Sequence, residues 1–557
     1  MLCSFSTVAM FLFLGERSRM AMATLLLVLL LALLLPLKAD EVFDVRKHLS
    51  TVTRYDFANV ATADNYVAST IPDGCTTIHI NLVARHGTRA PTKKRIRELD
   101  NMASRLEVLL RDAKVEAQKG NASLQKIPSW LWGWQSPWKG RQRGGELITI
   151  GENEMYHLAV RIRERFPDLF DEEYHPNTFV VKATQVPRAS ASAVAFGIGL
   201  FEGKGSLGTG KHCAFSVISE SRASDILLRF HDCCESYKAY RKSQEPAVDK
   251  LKEATMDEIT SALVSRYELN FTRQDTASLW FLCKQEASLL DITDQACSLF
   301  SPFEMYVPQE KWHISTWMAV KTREKVASAV FLMTARIPDA EFSHQISLLE
   351  WTDDLELFIL KGYGKSINYH MGVPLLQDVV QAMEQAIKSN EENLVPGTYE
   401  KARLRFAHAE TVVPFSCLIG LFLEGSEFEQ ILREQPLELP PKPPQPRNWK
   451  GSIVAPFAGN NMLVLHSCPD NNSRKYFVQV LHNEVPVPLP GCDNKDFCPF
   501  DDFKERIVNP HLKHDYDSLC SKKSEGQEPK PVTSKLTQLY RWLFWQDGNT
   551  RKDKVEL

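Results

Sequence analysis

Two arginines and a histidine fall within five residues in Arg85-His86-Gly87-Thr88-Arg89, a run that continues Ala90-Pro91. Two guanidiniums can grip one phosphate by paired hydrogen bonds. A neutral imidazole held beside that phosphate can attack phosphorus. Gly87 is expected to let the backbone come close to the bound group. The segment directly before, Ile78-His79-Ile80-Asn81-Leu82-Val83-Ala84, is β-branched and partly alternating, which predicts a strand. The cluster then sits at the strand's C-terminal end, where open α/β sheets place their ligands.

Two distant segments complete a pattern: Ala183-Thr184-Gln185-Val186-Pro187-Arg188-Ala189-Ser190 and Phe406-Ala407-His408-Ala409-Glu410-Thr411. With the heptad, they resemble the motifs of the histidine acid phosphatases, in the family's order, over most of the chain from about Cys75 to about Cys520. Where most of that family carries His-Asp, this chain has His408-Ala409-Glu410, the version of the multiple inositol polyphosphate phosphatases. The resemblance implies that His86 is a nucleophile forming a phosphohistidine, and that Arg85, Arg89, Arg188 and His408 bind the phosphoryl group. Concentrated positive charge is what this reaction needs, because the ester's anionic oxygens repel a nucleophile. His86 must be neutral at its attacking nitrogen, with a backbone carbonyl near Gly87 expected to fix its tautomer. Glu410 is the candidate acid for the leaving alkoxide, since side chains two apart in an extended stretch share a face. The alternative is that Glu410 caps a helix starting near Pro414.

Lys93, Lys94 and Arg95 follow the heptad, and Lys139, Arg141 and Arg143 form a second basic run. Both are candidate binders of the other phosphates on a polyphosphorylated ring, against the plainer reading of a solvated charged face. Gly205-Ser206-Leu207-Gly208-Thr209-Gly210-Lys211-His212 nearly spells a P-loop, but His212 stands where a Ser or Thr should bind Mg²⁺, so a Gly-rich surface loop is expected.

The elements that must position these groups follow from periodicity. A strand over Phe179–Thr184 ends before Arg188, and one over Leu404–Ala407 ends at His408. Helices are predicted over about Ile96–Ala113, Gly151–Arg165, Ala189–Leu200 and Pro414–Leu423. Three strand–loop–helix units thus deliver three motifs to one end of a sheet. Ala247–Leu269, Thr316–Met333 and Val373–Ser389 read as helices of an insertion spanning about 201–394. Glu434–Arg447 is proline-rich and reads as a loop, and Tyr476–Leu481 with Val485–Pro488 as a hairpin. The expected architecture is therefore α/β, the histidine-phosphatase sheet flanked by helices with a large, mostly helical insertion. The expected organisation is a signal over 1–39, a phosphatase domain over 40–521 and a polar tail over 522–557.

Length and composition are those of an ordinary globular protein: 557 residues, 44% hydrophobic and 24% charged. A net charge of −3 gives no global attraction to nucleic acid or anionic lipid, so a polyanionic substrate must be drawn by local charge. Arg17, Arg19 and the leucine run Leu25–Leu37 read as a secretory signal cleaved near Ala39, the alternative being a short signal anchor. No stable membrane partner is expected. Removal of Cys3 with the signal leaves eleven of the 12 cysteines, most of which should pair in an oxidising compartment. The family resemblance implies Cys75–Cys468, Cys283–Cys297, Cys492–Cys498 and Cys234–Cys520, leaving Cys213, Cys233 and Cys417 unassigned. Sequons at Asn121, Asn270 and Asn471 fit glycosylation in the same pathway. With neither a paired C-x-x-C nor H-E-x-x-H, no metal site or cofactor is expected.

The resulting expectation is a secreted or endoplasmic-reticulum-lumenal phosphatase of phytate and lower inositol polyphosphates. A broad acid or phosphoglycerate-type phosphatase on the same fold is the rival enzyme, and an inactive inositol-phosphate-binding protein the rival of another class. The terminal Lys554-Val555-Glu556-Leu557 resembles a K-D-E-L retention signal with Val555 in place of an acid, which would make a retention receptor a partner.

Overall fold

The strand before Arg85 forms as the pattern predicts and becomes the centre of a mixed sheet. A computed structural model describes residues 43–58, 71–120, 124–300, 345–433, 435, 447–470 and 473–521. The strands are β1 (Thr76–Arg85), β2 (Phe179–Ala183), β3 (Ala402–Ala407), β4 (Asn460–Asp470), β5 (Ser473–His482), β6 (Val485–Pro486) and β7 (Phe497–Pro499). Their order is β2-β3-β1-β4-β5-β6, with β7 on β5. β3 runs parallel to both β1 and β2, in a register that sets Arg85 opposite Ala407 and Ala183 opposite Phe406. The C-terminal ends of the three motif-bearing strands therefore share one edge. β4 is antiparallel to β1 and pairs Asn460 with Ala84, so the chain before β4 reaches the same edge.

The longer helices are α1 (Lys93–Gln118), α2 (Thr149–Arg165), α3 (Pro187–Leu200), α4 (Glu235–Tyr267), α5 (Arg273–Leu289), α6 (Gln345–Lys361), α7 (Val373–Glu391) and α8 (Ala409–Leu418). In α1 the buried Ile96, Leu99, Met102, Leu106, Leu109, Leu110 and Ala113 recur at three- and four-residue steps, forming one apolar stripe. Pro187 opens α3, where its missing N–H costs no helical bond. α4–α7 fall between β2 and β3, within the stretch expected to be a helical insertion.

Alternation along the strands gives the sheet two cores. Ile80, Leu82, Ala84, Phe179, Val181, Leu404 and Phe406 pack with Met155, Leu158 and Phe196 of α2 and α3. On the opposite face, Val83, Leu463, Leu465, Val478 and Val480 pack with Leu376, Val379, Met383 and Phe415 of α7 and α8. That second face also buries charge. The fully buried Arg405 donates to Asp378 of α7 (2.9 Å from Nε) and to Asn81 (3.0 Å), and Arg403 pairs with the same carboxylate at 2.8 Å.

Some expectations are corrected here. The helix after β3 starts at Ala409, not near Pro414, because His408 is its extended N-cap residue (φ −130°, ψ 170°) and the chain turns immediately. Pro414 lies inside that helix. The helix expected from Ala247 begins at Glu235 and runs through Pro246. The near-P-loop is a small exposed loop closed by Leu207–His212 pairing. The hairpin turns at Asn483-Glu484, both at positive φ (47° and 70°).

Four disulfides form, Cys75–Cys468, Cys234–Cys520, Cys283–Cys297 and Cys492–Cys498, the pairs the resemblance implies. Cys213, Cys233 and Cys417 stay reduced. Among the described residues no helix is long and apolar enough to cross a membrane. The signal segment, Asn121, Asn471, the Thr316–Met333 helix, nearly all of the proline-rich loop and the tail with Lys554–Leu557 lie outside the described residues.

Candidate active site

Backbone pairing extends past the strand ends and carries the motifs into one place. His86 N donates to Ala407 O at 3.0 Å, Ala458 N donates to His86 O at 3.0 Å, and Thr184 N donates to Phe406 O at 3.0 Å. The rings of His86 and His408 consequently lie edge to face, 5.5 Å apart. Both are buried.

The loop after β1 is held from beneath. Glu154 of α2, itself buried, accepts from Thr88 N (2.7 Å), Thr88 Oγ1 (2.8 Å) and Tyr55 N (3.1 Å). Ser192 of α3 accepts from Gly87 N at 3.0 Å and donates to Arg188 O at 2.8 Å, tying the first motif to the second. Gly87 also has a packing role. A side chain there would strike Gly151 O, and one at Gly151 would strike Thr88 O, so the two glycines let the loop and α2 touch.

The proton of His86 can be placed from its partner. His86 Nδ1 lies 2.8 Å from Gly87 O, and a carbonyl only accepts, so Nδ1 carries the hydrogen and Nε2 the lone pair. Burial, then Arg188, Arg85, His408 and Arg89, hold the ring well below the usual histidine range, which keeps it neutral. His408 Nε2 lies 2.9 Å from Arg229 Nη1 and 3.0 Å from Thr184 Oγ1. A guanidinium only donates, and one faces each ring nitrogen: Arg229 at Nε2 and, farther off, Arg188 at Nδ1. Nδ1 sits on the side of Arg188 Nη2, 3.4 Å away. Burial, with Arg188 and Arg229, keeps this ring neutral too.

Three arginines surround the histidines. Arg85 is braced by the carbonyls of Thr51 and Ala455 and lies over the Phe457 ring at 4.4 Å. Arg89 donates to Ala90 O at 2.9 Å. Burial, with repulsion from neighbouring arginines, lowers the guanidiniums of Arg85, Arg89 and Arg188 to about 10, 9 and 10. The buried Nε–H groups of all three meet no acceptor among the described residues. Such donors are uncommon in native interiors, and a bound anion would satisfy them.

Glu410 departs from the expected geometry. It lies in the first turn of α8 rather than an extended stretch, and its Oε1 pairs with Lys361 Nζ of α6 at 2.9 Å. Burial alone would raise its pKa. Lys361, in direct contact, outweighs burial and holds it well below the usual carboxylate range.

His86, Arg85, Arg89 and Glu410 open onto one cleft, with Arg188 and His408 behind its lining. Its walls include Arg85, His86, Arg89, Glu410 and Phe457, with Lys94 and Arg95 from α1, Lys284 from α5, and Asp353, Glu356 and Lys361 from α6. The basic rim thus divides. Lys94 and Arg95 line the cleft, whereas Lys93, exposed at the first position of α1, is turned away by the helix's rotation. Lys139, Arg141 and Arg143 are also outside it. Lys139 lines a separate groove beside Trp132 and Trp134, Arg141 faces Glu146 at 3.6 Å, and Arg143 is exposed. The exposed Asn270 anchors Arg105 through its carbonyl, away from the cleft. Sequence reasoning missed Arg229, Glu154, Ser192, Lys284 and Lys361, which are single residues on ordinary-looking helices and loops with no motif around them.

A parallel-strand edge carrying a neutral histidine inside a ring of arginines defines a phosphoryl-transfer hydrolase. The chain belongs to the histidine phosphatase superfamily, branch 2, which matches residues 78–483, and it is a phosphatase. Among similar curated proteins, multiple inositol polyphosphate phosphatase 1 of Gallus gallus is 26% identical, covering 79% of this chain and 85% of its own. The Dictyostelium discoideum protein of that name is 24% identical over 81% of this chain and 69% of its own. The fold is similar to that of the phytase from D. castellii (TM-score 0.57, 15% identity, 86% of this chain and 88% of that one). It is similar as well to the Bifidobacterium longum multiple inositol polyphosphate phosphatase complexed with inositol hexasulfate (TM-score 0.54, 18% identity, 84% and 98%).

Proposed function

We propose that this protein removes phosphates from inositol polyphosphates, phytate and its lower forms, through a phosphohistidine on His86. The observation that carries the reading is the Nδ1–H of His86 on Gly87 O, which aims the Nε2 lone pair into a cradle of under-satisfied arginine donors. The oxygens of a phosphoryl group would satisfy Arg85, Arg89 and Arg188, and His408 would add a ring N–H. Nε2 of His86 attacks phosphorus, the bond to the ester oxygen breaks, and Glu410, once protonated, gives its proton to the departing alkoxide. The Glu410 carboxylate then takes a proton from water as that water attacks the phosphohistidine. Orthophosphate leaves and His86 returns neutral.

The substrate class rests on two supports: the relatives named as inositol polyphosphate phosphatases, and cations beyond the phosphoryl cradle at Lys94, Arg95, Lys284 and Lys361. The four disulfides support a lumenal or secreted location, with the terminal Lys-Val-Glu-Leu proposed as the address read by a retention receptor. The test is orthophosphate release from phytate and from p-nitrophenyl phosphate at an acidic and a neutral pH, by wild type and His86→Ala. Wild type should turn over both substrates and prefer phytate in kcat/KM, and His86→Ala neither. Turnover of the aryl ester without phytate would leave a general phosphatase. Tight phytate binding with no turnover of either would leave a binding protein.

A further inference from the structure

We propose that Lys361 makes the leaving-group acid conditional on a polyphosphorylated substrate: a phosphate next to the scissile one draws Lys361 away from Glu410, and Glu410 then takes up the proton it will donate. This rests on the function proposed above and adds a residue that sets specificity within it.

The geometry starts from the state of the cleft's cations. Arg95 is paired with Glu98 at 2.7 Å, Lys284 with Asp353 at 2.5 Å, and Lys361 with Glu410 at 2.9 Å. A polyanion entering the cleft must compete with these carboxylates. For Arg95 and Lys284 the competition changes affinity alone, since their partners stand apart from the reacting groups. Lys361 is different, because its partner is the candidate acid. Lys361 and Glu410 both line the cleft with His86, and their side chains are nearly buried, at 14% and 12% exposure. An ion pair screened in this way from solvent strongly favours the carboxylate form. A glutamate clamped as an anion has no proton to give an alkoxide.

The groups facing Glu410 from every side identify Lys361 as the movable one. Arg85 and Arg89 approach from the end of β1, Arg188 from α3, His231 from the turn before α4, Tyr237 from α4, and His408 from the residue before α8. The three arginines are committed to the scissile phosphoryl group. His231 is buried and kept neutral, its pKa lowered to about 4 mainly by burial. Among the described residues Lys361 is the cation in direct contact with Glu410, and it is the last residue of α6, on a long flexible stem. When a neighbouring phosphate takes Lys361, the arginines are already neutralised by the scissile group. Burial then dominates and raises the proton affinity of Glu410. One proton moves from solvent to Glu410. As the His86 Nε2–P bond forms and the P–O bond breaks, it passes to the leaving oxygen.

The experiment measures the single-turnover rate of phosphoenzyme formation at saturating substrate against pH, with phytate and with glycerol 2-phosphate. Both have poor alkoxide leaving groups, but only phytate has neighbouring phosphates. In wild type, the upper pH limb for phytate should lie about one pH unit or more above that for glycerol 2-phosphate. In Lys361→Met the two limbs should coincide, phytate should lose about tenfold or more of its preference, and p-nitrophenyl phosphate should lose less than phytate. Phytate's own ionisations are common to both proteins and drop out of the comparison. Adding Glu410→Gln to Lys361→Met should abolish the remaining limb, and Lys361→Arg should keep the limbs apart. Limbs that stay separate in Lys361→Met, or an equal loss on all three substrates in a variant with wild-type melting, would overturn the proposal. Wild type that cleaves p-nitrophenyl phosphate but not phytate would instead overturn the function on which it rests.

Discussion

His86 is useful because it is neutral, and its neighbours enforce that. Protonation would remove the lone pair, so kcat/KM must fall as pH drops through the pKa of His86. Burial and then Arg188 push that pKa down, so the acid limb of wild type should lie well below 6.5. Arg188→Gln removes the largest charge acting on the ring. The pKa then rises, and the limb should move to higher pH, on top of a rate loss of about 10²–10³-fold for one missing oxyanion donor. A pH profile of kcat/KM for the two proteins checks this, and an unmoved limb would mean the ring is kept neutral by burial alone. At this scale the sequence was legible where the chemistry is contiguous. Arg85-His86-Gly87-Thr88-Arg89 states its own geometry. Arg229 and Glu154 do not: one holds His408 and the other holds Thr88, yet each comes from a separate segment, and only folding reveals the contact. Lys361 was hidden in the same way, and with it the ionised state of Glu410.

Between the elements, the site depends on how closely the loop after β1 can approach α2. Gly151→Ala would drive a methyl group into Thr88 O, and the backbone of the His86 loop must yield because neither contact atom belongs to a flexible side chain. A displacement of about 1 Å at the nucleophile costs on the order of 10²-fold. Gly151→Ala should therefore lower kcat by about that factor while the protein stays folded by circular dichroism, and unchanged kcat would show that the loop has slack. Strand–loop–helix periodicity made β1, β2, β3 and the helices after them readable within a few residues. Two things escaped it. β4 joins the sheet beside β1 as an antiparallel strand, an arrangement set by tertiary pairing rather than by a local pattern. The start of α8 was misplaced because Pro414 reads as a helix opener, whereas the extended His408 turns the chain five residues earlier, at Ala409.

Across the whole molecule, the disulfides tie chain-distant parts to the elements that carry the site. Cys234–Cys520 fastens the last described helix, Tyr516–Cys520, to the start of α4, bridging 286 residues. Tyr516 donates to Phe230 O at 3.0 Å, and Phe230 follows Arg229, the residue that fixes His408. Replacing both cysteines by serine should cost about 2–5 kcal/mol of stability. It should also lower kcat at temperatures where the variant is still folded, because Arg229 loses its distant brace. Thermal melting and kcat measured side by side check this, and a stability loss with wild-type kcat would confine the bridge to stability. Cysteine order alone leaves such pairings open; the family resemblance named all four, and the coordinates form the same ones.

Catalysis turns on the aimed, neutral His86 taking the phosphoryl group. The most direct test is to mix enzyme with excess phytate, quench in alkali within the first turnover, and map the bound phosphate by peptide mass spectrometry. One acid-labile, alkali-stable phosphoryl group is expected on His86, formed at least as fast as orthophosphate is released and missing from His86→Ala. Steady phytate turnover with no phosphoenzyme, or a phosphoryl group on any other residue, would contradict it.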